Sequence, residues 1–375
     1  AGADVYSHAI SKLDAAIANF TSGGGAPAND FFYGGDGSKW IKAANSLKKK
    51  AYLNTGNTSA YNSITNYITD GADDFQFTWG TNPAQPDTRH PYYRSSYTPT
   101  GGGTYQSNWF MDTMKTGISG VTDPRINYYF YRQVQTVPGF DGTAANEEVL
   151  ECGLPGYFNP YPAGVVFCSP GGGYWGRDHG NDNGIPPDGF ERTLHGSYPA
   201  GGLYDDRSYA PQKNGAGAGG AGITPIMLSS WMHFMNAEVA GVGTAAATTE
   251  VLAGIGDSMA KVSGFAGSPA ITSTSLDAYT DAFTTAWIAA SSAEKGNMWA
   301  KQFFIALYGN GTDAYNSYRR NGLPTDVQPN IEPNPGAFPV SMWYPNNYTA
   351  RNSNATQKSD LTGKVFWNTQ SPNLK

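Results

Sequence analysis

The sequence contains few charged residues: Asp, Glu, Lys and Arg make up 14% of its 375 residues, against roughly 25% in typical soluble proteins. The formal net charge is -6 at pH 7, and the only cluster of adjacent lysines is the short run at residues 48–50. A nucleic-acid partner would require a basic stripe that displaces counterions from phosphates. The charge balance therefore argues against a nucleic-acid-binding function.

Cysteine is nearly absent as well. Cys152 and Cys168 are the two that occur, both within the Gly- and Pro-rich stretch ECGLPGYFNPYPAGVVFC. A disulfide between them is one option in an oxidising compartment, and two free thiols are the other. Both options stay open because spacing along the chain does not define disulfide geometry.

Long apolar segments are also missing, since no run of 18 or more apolar residues occurs. The sequence therefore predicts no membrane-spanning helix. Its first residues, AGADVYSHAISKL, lack the charged and apolar regions of a signal peptide. We expect the sequence to be a mature or truncated product.

Common enzyme motifs are not found. The five histidines are scattered, and the sequence has no HExxH, no GxSxG and no Cys/His cluster with metal-ligand spacing. The segment GAGAGG at 215–220 matches GxGxxG, but no predicted strand precedes it. We interpret it as a flexible glycine linker rather than a dinucleotide site.

The sequence is instead rich in Gly (47), Pro (24) and Tyr (24). Asn, Ser, Thr, Gly and Tyr must then supply most of the polar surface. This composition suits an exported protein whose long, ordered loops carry aromatic side chains, as sugar-binding and peptide-binding surfaces often do.

Helical periodicity is clearest at residues 31–53, where Asp36 is the expected N-cap and Trp40, Ala43 and Leu47 share one face. The lysines at 48–50 fall near the end of this helix, where cations suit the macrodipole. Further helices are predicted at residues 4–20 and 60–70, and after Thr224-Pro225, which marks a helix start. That helix runs to Gly241 and is followed by helices at 246–262, 276–291, 294–309 and 312–320.

The residues between these helical regions have little regular periodicity and many Pro, Gly and aromatic residues, so we expect ordered loops with a short helix at 108–116 and a strand pair around 126–135. The helix pairs at 225–262 and 276–309 have about the length of a tetratricopeptide unit. The predicted fold is mainly α, a tetratricopeptide-like helical scaffold with a long ordered loop-rich ligand-binding region. One domain, 1–375, would comprise scaffold at 1–70, loops at 71–222, scaffold at 223–322 and a C-terminal coil at 323–375.

Aromatic residues of the loop-rich region are the candidate ligand contacts. Flat ring faces beside hydrogen-bonding groups can stack on sugars or hold peptide side chains. The alternative is that these rings pack the loops onto the helices. The predicted ligand-binding residues are Trp79, Arg89, Tyr92, Tyr93, Tyr97 and Trp109, with His90 and Tyr105 nearby.

A second candidate site lies in RDHGNDNGIPPDG, which concentrates oxygen ligands around glycine turns. Calcium prefers carboxylate and amide oxygens, although the spacing is not that of an EF-hand. The alternative is a set of turns whose side chains bond their own backbone. The predicted calcium ligands are Asp178, Asn181, Asp182, Asn183 and Asp188. No other cofactor is expected.

Four motifs in order resemble the SusD/RagB outer-membrane lipoproteins of Bacteroidetes. They are GDGSKWIKAANSLKKK at 35–50, ITPIMLSSWMHFMNAEVAG at 223–241, the central YWGRDHGNDNGIPPDGFERTLHGSYPAGGLYDD, and the closing PVSMWYPNN and GKVFWN. The resemblance extends over nearly the whole chain.

The resemblance implies a non-enzymatic protein on the cell surface that acts as a lid over a SusC-like TonB-dependent transporter. Its ligand would be an oligosaccharide or a peptide. Family members begin with a lipidated Cys and a further helical segment, whereas this sequence has no Cys before Cys152. We therefore expect the lipid anchor and part of the helical scaffold to lie outside this sequence. Ligand residues vary within the family, so none is carried over.

Two other functions remain open. A secreted glycoside hydrolase or lyase would need two carboxylates about 5–10 Å apart, with Glu147, Glu148, Glu151 and Glu191 as candidates that sequence cannot pair. A structural surface protein without a small ligand would fit if the aromatic residues are buried.

Overall fold

The computed structural model describes residues 2–98, 102–139, 169–181, 191–212, 214–332, 334–369 and 374. Within these ranges the chain is mainly helical, as predicted, with two small antiparallel sheets, and no helix there has the length and apolarity to cross a bilayer. The helices are α1 (Gly2–Thr21), α2 (Gly37–Asn54), α3 (Thr58–Ser63), α4 (Pro91–Ser96), α5 (Asn108–Thr116), α6 (Ile126–Tyr129), α7 (Ser229–Ala240), α8 (Ala245–Val262), α9 (Ser273–Ala289), α10 (Ser292–Ala306), α11 (Gly311–Asn321) and α12 (Asn346–Arg351). The strands are β1 (Phe75–Thr78), β2 (Phe130–Tyr131), β3 (Leu194–His195) and β4 (Ile223–Met227).

Helix α2 begins where the sequence predicts. Asp36 is its N-cap, and its carboxylate accepts hydrogen bonds from the backbone N–H groups of Ser38 and Lys39. These bonds satisfy donors that have no partner within the first helical turn. The helix buries Ala43 and Ala44, and its Trp40 packs edge-on against Phe75 of β1. Buried residues that recur every three or four positions therefore place one face of α2 against the core.

The lysines at 48–50 do not lie in the last turn of α2, where the sequence analysis expected cations to suit the macrodipole. Lys48 pairs with Asp14 of α1, and Lys50 pairs with Asp313 of α11. Lys49 is buried, with its ammonium 3.8 Å from the ring centre of Tyr61. Each lysine thus faces a different neighbour, because three consecutive residues span almost one helical turn.

The C-terminal scaffold confirms the predicted helices α8 to α11 to within a few residues at each end. Local sequence defines their starts: Thr244, Thr272 and Asn310 cap α8, α9 and α11 through side-chain oxygens. Helix α10 has a complete capping box between Ser291 and Glu294. These helices enclose a core of large side chains, which includes Trp231, Phe283, Trp287, Trp299 and Phe303.

Three predicted elements are wrong. The helix predicted over 60–70 ends at Ser63. Thr224-Pro225 does not start a helix but lies in β4, which pairs antiparallel with β1, and the Thr224 hydroxyl accepts a hydrogen bond from the Trp79 indole instead of capping. The expected strand pair around 126–135 is a helical turn, α6, followed by β2, whose partner β3 lies over sixty residues away. Pairing between strands that are distant in the sequence therefore decided the structure of these segments, and the local sequence pattern did not.

A buried ion pair joins the loop-rich region to the helical scaffold. Asp123 and Arg125 have no solvent exposure, and the guanidinium Nε lies 2.9 Å from the carboxylate of Asp123. Arg125 also donates to Ser258 of α8 and to Gln302 of α10. Because buried charges are tolerated only when they are paired and hydrogen-bonded, this contact fixes the loop against two helices.

Replacing one member of this pair should destabilise the fold strongly. We expect Asp123→Ala to lower the free energy of unfolding by about 3 to 5 kcal/mol, because it leaves the Arg125 charge buried without its counterion. Urea denaturation measures the change. Asp14→Ala, which removes the more exposed pair with Lys48, is the matched control and should cost less than about 1 kcal/mol. Equal effects of the two variants would contradict this role.

Burial of Lys49 should make stability depend on pH. Its ammonium donates to the backbone oxygens of Tyr61 and Ile64, and burial lowers the pKa of Lys49 to about 8. The unfolded chain, with a lysine pKa near 10.4, then binds more protons than the native state between these values, so stability rises with pH in that window. Relative to Lys49→Met, we expect the wild-type protein to gain about 1 to 2 kcal/mol between about pH 7.5 and 9.5. Parallel urea denaturation curves that keep a constant difference across this range would refute the shift.

Candidate functional site

Trp79 and Tyr92, two of the predicted ligand contacts, lie half-buried in one cluster of rings. Trp79 meets His90 edge-on at 5.9 Å between ring centres, and His90 in turn meets Tyr92 at 5.1 Å. Tyr92 stacks on His195 of β3 at 4.4 Å, with the planes nearly parallel. The structure therefore brings Trp79 and Tyr92 together through His90, and their role as ligand contacts stays a prediction.

Arg89 is held by Asp87 on its own loop and by Asn214 of a distant segment. Its guanidinium donates two hydrogen bonds to the carboxylate of Asp87 and one to the side-chain oxygen of Asn214. The bonds from Arg89 hold the pKa of Asp87 at about 2, so the pair stays ionised at neutral pH. Such a bidentate pair fixes the position of the guanidinium. Arg89 is half-buried, and its contact with a ligand stays a prediction.

Tyr93 and Tyr97 are packing residues in this structure. Both are buried, and their rings stack on one another at 4.5 Å. Their hydroxyls donate to the backbone oxygens of Ala216 and His195 respectively. Both rings thus hold loops together, which is the alternative that the sequence also allowed.

The glycine segment at 215–220 is packed rather than a flexible linker, which corrects that interpretation. Gly217 has a φ of +66°, and a Cβ there would lie 2.2 Å from the backbone oxygen of Gly202. A Cβ at Gly220 would lie 2.7 Å from that of Arg89. Glycine is required at these positions because the neighbouring loop comes so close to the backbone that a Cβ atom would not fit.

Trp109 is the predicted contact that lies away from this cluster. It is buried on α5, packs edge-on against Phe304 of α10, and donates its indole N–H to the backbone oxygen of Asp326 at 2.9 Å. It also lies 6.0 Å from the ring of His179. Among the described ring contacts, none joins Trp109 directly to the other predicted residues, and their role as ligand contacts stays a prediction.

The predicted calcium ligands are only partly described. Asp178 is buried and accepts a hydrogen bond from the side-chain amide of Asn108, and its backbone oxygen accepts from the N–H of Asn181. Within the described ranges no three His, Cys, Asp or Glu side chains are placed to hold a metal ion. Calcium binding stays a prediction, since Asp182, Asn183 and Asp188 lie outside the described residues. Cys152 and Cys168, for which a disulfide and two free thiols were both expected options, also lie outside the described residues.

Trp109 forms part of the wall of a groove that the sequence did not predict, which we call the C-terminal groove. Helix α11 supplies Tyr315 and Tyr318 on one side, and residues 327–332 and 334–340 supply the other. Its volume is about 1290 Å³, larger than the roughly 300–1,000 Å³ of a typical small-molecule site. A groove of this size can accommodate a ligand of several linked units.

Hydrogen bonds order the walls of the C-terminal groove. The Tyr315 hydroxyl donates to the backbone oxygen of Pro339 at 2.8 Å, and the ring of Phe338 lies 5.2 Å from that of Tyr318. At the inner end, His179 Nδ1 lies 2.9 Å from the backbone oxygen of Gln328. The two walls are thus tied together at several points along the groove.

His179 is neutral and has a defined tautomer at this site. Burial lowers the pKa of His179. Because the Gln328 oxygen can only accept, Nδ1 carries the proton, and Nε2 accepts from the Ser107 hydroxyl at 2.7 Å. His179 therefore connects α5, through its N-cap Ser107, to the wall of the groove.

Exposed aromatic residues lie on a segment at 340–361, whose base adjoins the groove. Trp343, Tyr344 and Tyr348 are exposed, while Val340 and Thr362 at the base of this loop also line the groove. The sequence interpretation treated this region as C-terminal coil. The cluster of aromatic residues among Pro and Asn in SMWYPNNY is the same compositional signal that was applied to residues 71–222 and could have identified it.

Comparison with known proteins gives a consistent result. Residues 1–148 match the model of a SusD-like family described as "Starch-binding associating with outer membrane". A search of curated proteins found no match.

Several solved structures share the fold. A SusD/RagB family protein from Bacteroides thetaiotaomicron is 20% identical with a TM-score of 0.63, over 98% of this chain and 73% of its own. A chitin-binding SusD homologue from Flavobacterium johnsoniae is 16% identical with a TM-score of 0.58, over 99% and 73%. A protein described as "Bacteroidetes AC2a SusD-like" is 17% identical with a TM-score of 0.57, over 86% and 66%. This chain thus spans 66% to 73% of the length of these three structures.

The fold defines the class: a helical scaffold of tetratricopeptide-like units that carries long ordered loops. The family match over residues 1–148 and the shared fold both support the resemblance to SusD/RagB proteins that the sequence showed.

The packing role of Trp109 can be tested by stability. We expect Trp109→Ala to lower the free energy of unfolding by about 3 to 5 kcal/mol, since it removes a buried ring. Phe31→Ala, at a ring that is 73% exposed, should change it by less than about 0.5 kcal/mol. Chemical denaturation compares the two, and a Trp109→Ala protein as stable as the wild type would show that this ring does not support the core.

Proposed function

We propose that this protein captures an oligosaccharide nutrient at the outer surface of the outer membrane and passes it to a transporter. Support comes from the matched family, whose description names starch binding and association with the outer membrane. A homologue of the same fold is described as chitin-binding. Starch and chitin are both polymers of six-membered sugar rings, so a sugar chain is the ligand class that these descriptions share.

The C-terminal groove is the observation that carries this proposal. The faces of sugar rings are apolar and their edges carry hydroxyls, so a sugar site combines aromatic rings with polar groups. The groove has both: Tyr315, Tyr318 and Phe338 lie along it, and Asn330 and Asn334 contribute side-chain amides. Its volume suits a chain of sugars better than a single one.

The transporter in this proposal is a SusC-like TonB-dependent barrel over which the protein acts as a lid. A binding protein in such a pair needs only moderate affinity, because the ligand must be released to its partner. Purification of the protein from outer membranes should then recover a barrel of this class in stoichiometric amount. Recovery of the protein alone, in detergents that preserve other outer-membrane complexes, would count against the transporter partner and leave ligand binding to be judged separately.

Binding rather than catalysis is the activity that we propose. The hydrolase alternative depends on Glu147, Glu148, Glu151 and Glu191, and the first three lie outside the described residues. Glu191 is half-buried. Incubation with starch and chitin oligomers should produce no new reducing ends.

Calorimetry with starch oligosaccharides, chitin oligosaccharides and peptides tests the proposed ligand class. We expect one of the glycan classes to bind, and Tyr315→Ala to weaken that binding about 5- to 10-fold, because loss of a stacking ring costs about 1 to 1.4 kcal/mol. Tyr315→Phe retains the ring and removes the bond to Pro339, so it should stay within about twofold of the wild type. Binding of peptides in place of glycans, or of neither, would overturn the proposal.

A further inference from the structure

A second cavity, which we call the α5–α10 cavity, lies beside the C-terminal groove. Its volume is about 320 Å³, at the lower end of the roughly 300–1,000 Å³ of small-molecule sites. Trp109 lines both the cavity and the groove. Helices α5 and α10 supply most of the other walls, through residues that include Asp112, Thr113, Thr116, Asn297, Met298 and Lys301. The cavity therefore suits a single small molecule rather than a polymer.

Several polar groups that line the cavity are already bound within the protein. Gln302 accepts a hydrogen bond from the buried Arg125 at 2.6 Å, and its amide donates to the Tyr279 hydroxyl at 2.7 Å. Asn297 is bonded to Thr325 through both its amide nitrogen and its amide oxygen, at 3.1 and 3.0 Å. These groups give the cavity a fixed shape, and the charged residues of the lining are left to recognise a ligand.

The charges that line the cavity are unbalanced. Asp112 and Asp326 contribute carboxylates, and Lys301 contributes an ammonium. The Lys301 ammonium lies 2.6 Å from the carboxylate of Asp326, while Lys115 of α5 donates to the backbone oxygen of Pro170. Within the described ranges, no lysine or arginine forms an ion pair with Asp112. The cavity therefore contains a carboxylate without a counterion.

Asp112 stands where its own charge is unfavourable. Burial raises the pKa of Asp112, and the nearby lysines and Thr116 offset only part of that shift. Helix α5 ends at Thr116, and Thr116 and Gly117 line the same cavity, so the negative end of the helix macrodipole lies there as well. A charged group that lowers stability where it stands is characteristic of a functional site.

We propose that the α5–α10 cavity binds a small organic cation, a protonated primary amine on a compact body, with its ammonium against the Asp112 carboxylate. The ammonium supplies the missing counterion and donates charge-assisted hydrogen bonds. Trp109, Ile118 and Met298 supply apolar surface for the body of the ligand. A calcium ion fits less well, because it takes about six to eight oxygen ligands, and no three acidic, His or Cys side chains converge within the described ranges. This site does not depend on the proposed capture of glycans.

Calorimetry at neutral pH with two matched pairs of probes tests recognition of the charge. Cyclohexylamine and cyclohexanol share one ring with and without an ammonium, and glucosamine and glucose make the same comparison on a sugar. We expect at least one amine to bind, and its neutral partner to bind about 10-fold more weakly or less, because hydrogen bonds between charged groups are the strong ones. The amine that binds more tightly distinguishes an aliphatic source of the ligand from a sugar.

Asp112→Asn isolates the carboxylate, since it keeps the shape of the side chain and removes its charge. We expect affinity for the amine to fall about 10-fold or more. The unfolding temperature should equal or exceed that of the wild type, because a carboxylate whose pKa is raised on folding destabilises the native state at neutral pH. Asp14→Asn removes the same charge from the exposed side of α1 and should leave amine binding unchanged.

A second variant tests the space rather than the charge. Met298→Phe narrows the cavity and leaves Asp112 in place, so it should weaken amine binding about fivefold or more. Amine binding that is equal in the wild type and in Asp112→Asn would overturn the proposal. Equal affinity of the wild type for an amine and its neutral partner, or no binding of either amine, would do the same.

These outcomes are separate from the proposed function. Starch and chitin oligomers are titrated in their own experiment, so failure of both amines to bind leaves glycan capture standing. If the glycan oligomers fail and an amine binds the wild type but not Asp112→Asn, the cavity is supported and glycan capture is overturned.

Discussion

The buried charge of Arg125 is the constraint on which the loop-rich region depends. Asp123 neutralises it from the same loop, while Ser258 of α8 and Gln302 of α10 accept its remaining hydrogen bonds. Gln302 in turn donates to the Tyr279 hydroxyl on α9. A guanidinium in an apolar core is tolerated only when its donors are satisfied, so loop and scaffold must assemble in one arrangement. The helices thereby set the position of the segments between α5 and β2.

Tyrosine hydroxyls extend this arrangement across the rest of the loops. The hydroxyls of Tyr97 and Tyr129, both buried, donate to backbone oxygens of distant segments, His195 and Ile305 respectively. A backbone oxygen that is buried without a partner is costly, and a tyrosine supplies both the donor and the apolar area that surrounds it. Buried tyrosines such as these account for part of the high tyrosine content of the sequence. In a protein with few charged residues, packed aromatic rings and hydrogen bonds from their hydroxyls can therefore hold long loops in one conformation without regular secondary structure.

Candidate binding surfaces lie where aromatic rings are not covered by this packing of rings and hydroxyls. In the loops at 79–97, most rings find partners within the protein, whereas Trp343, Tyr344 and Tyr348 remain exposed on a loop that is itself hydrogen-bonded. The composition of the two regions is similar, so composition alone does not separate packing from contact. Of the residues predicted to bind ligand, Tyr93 and Tyr97 stack on each other, Gly220 also packs against Tyr93, and Trp109 lies in the groove wall. The groove brings α11 and the segment after it together with Trp109 and His179, which lie more than a hundred positions earlier, so no local sequence pattern reveals it.

The sequence by itself determined the helical scaffold. Helices α1, α2, α5 and α8 to α11 were predicted because a helix depends on spacing of three and four residues and on nearby capping groups such as Asp36. Four ordered motifs also sufficed to indicate the SusD-like fold. Tertiary structure alone decided that Thr224 lies in a strand, that Lys49 is buried against Tyr61, and which aromatic rings are covered. Thr224 meets Trp79 and Tyr93 meets Ala216 across more than a hundred positions of the chain. Lys49 meets Tyr61 of the next helix. These contacts arise only when separate segments pack together, so no local sequence pattern records them.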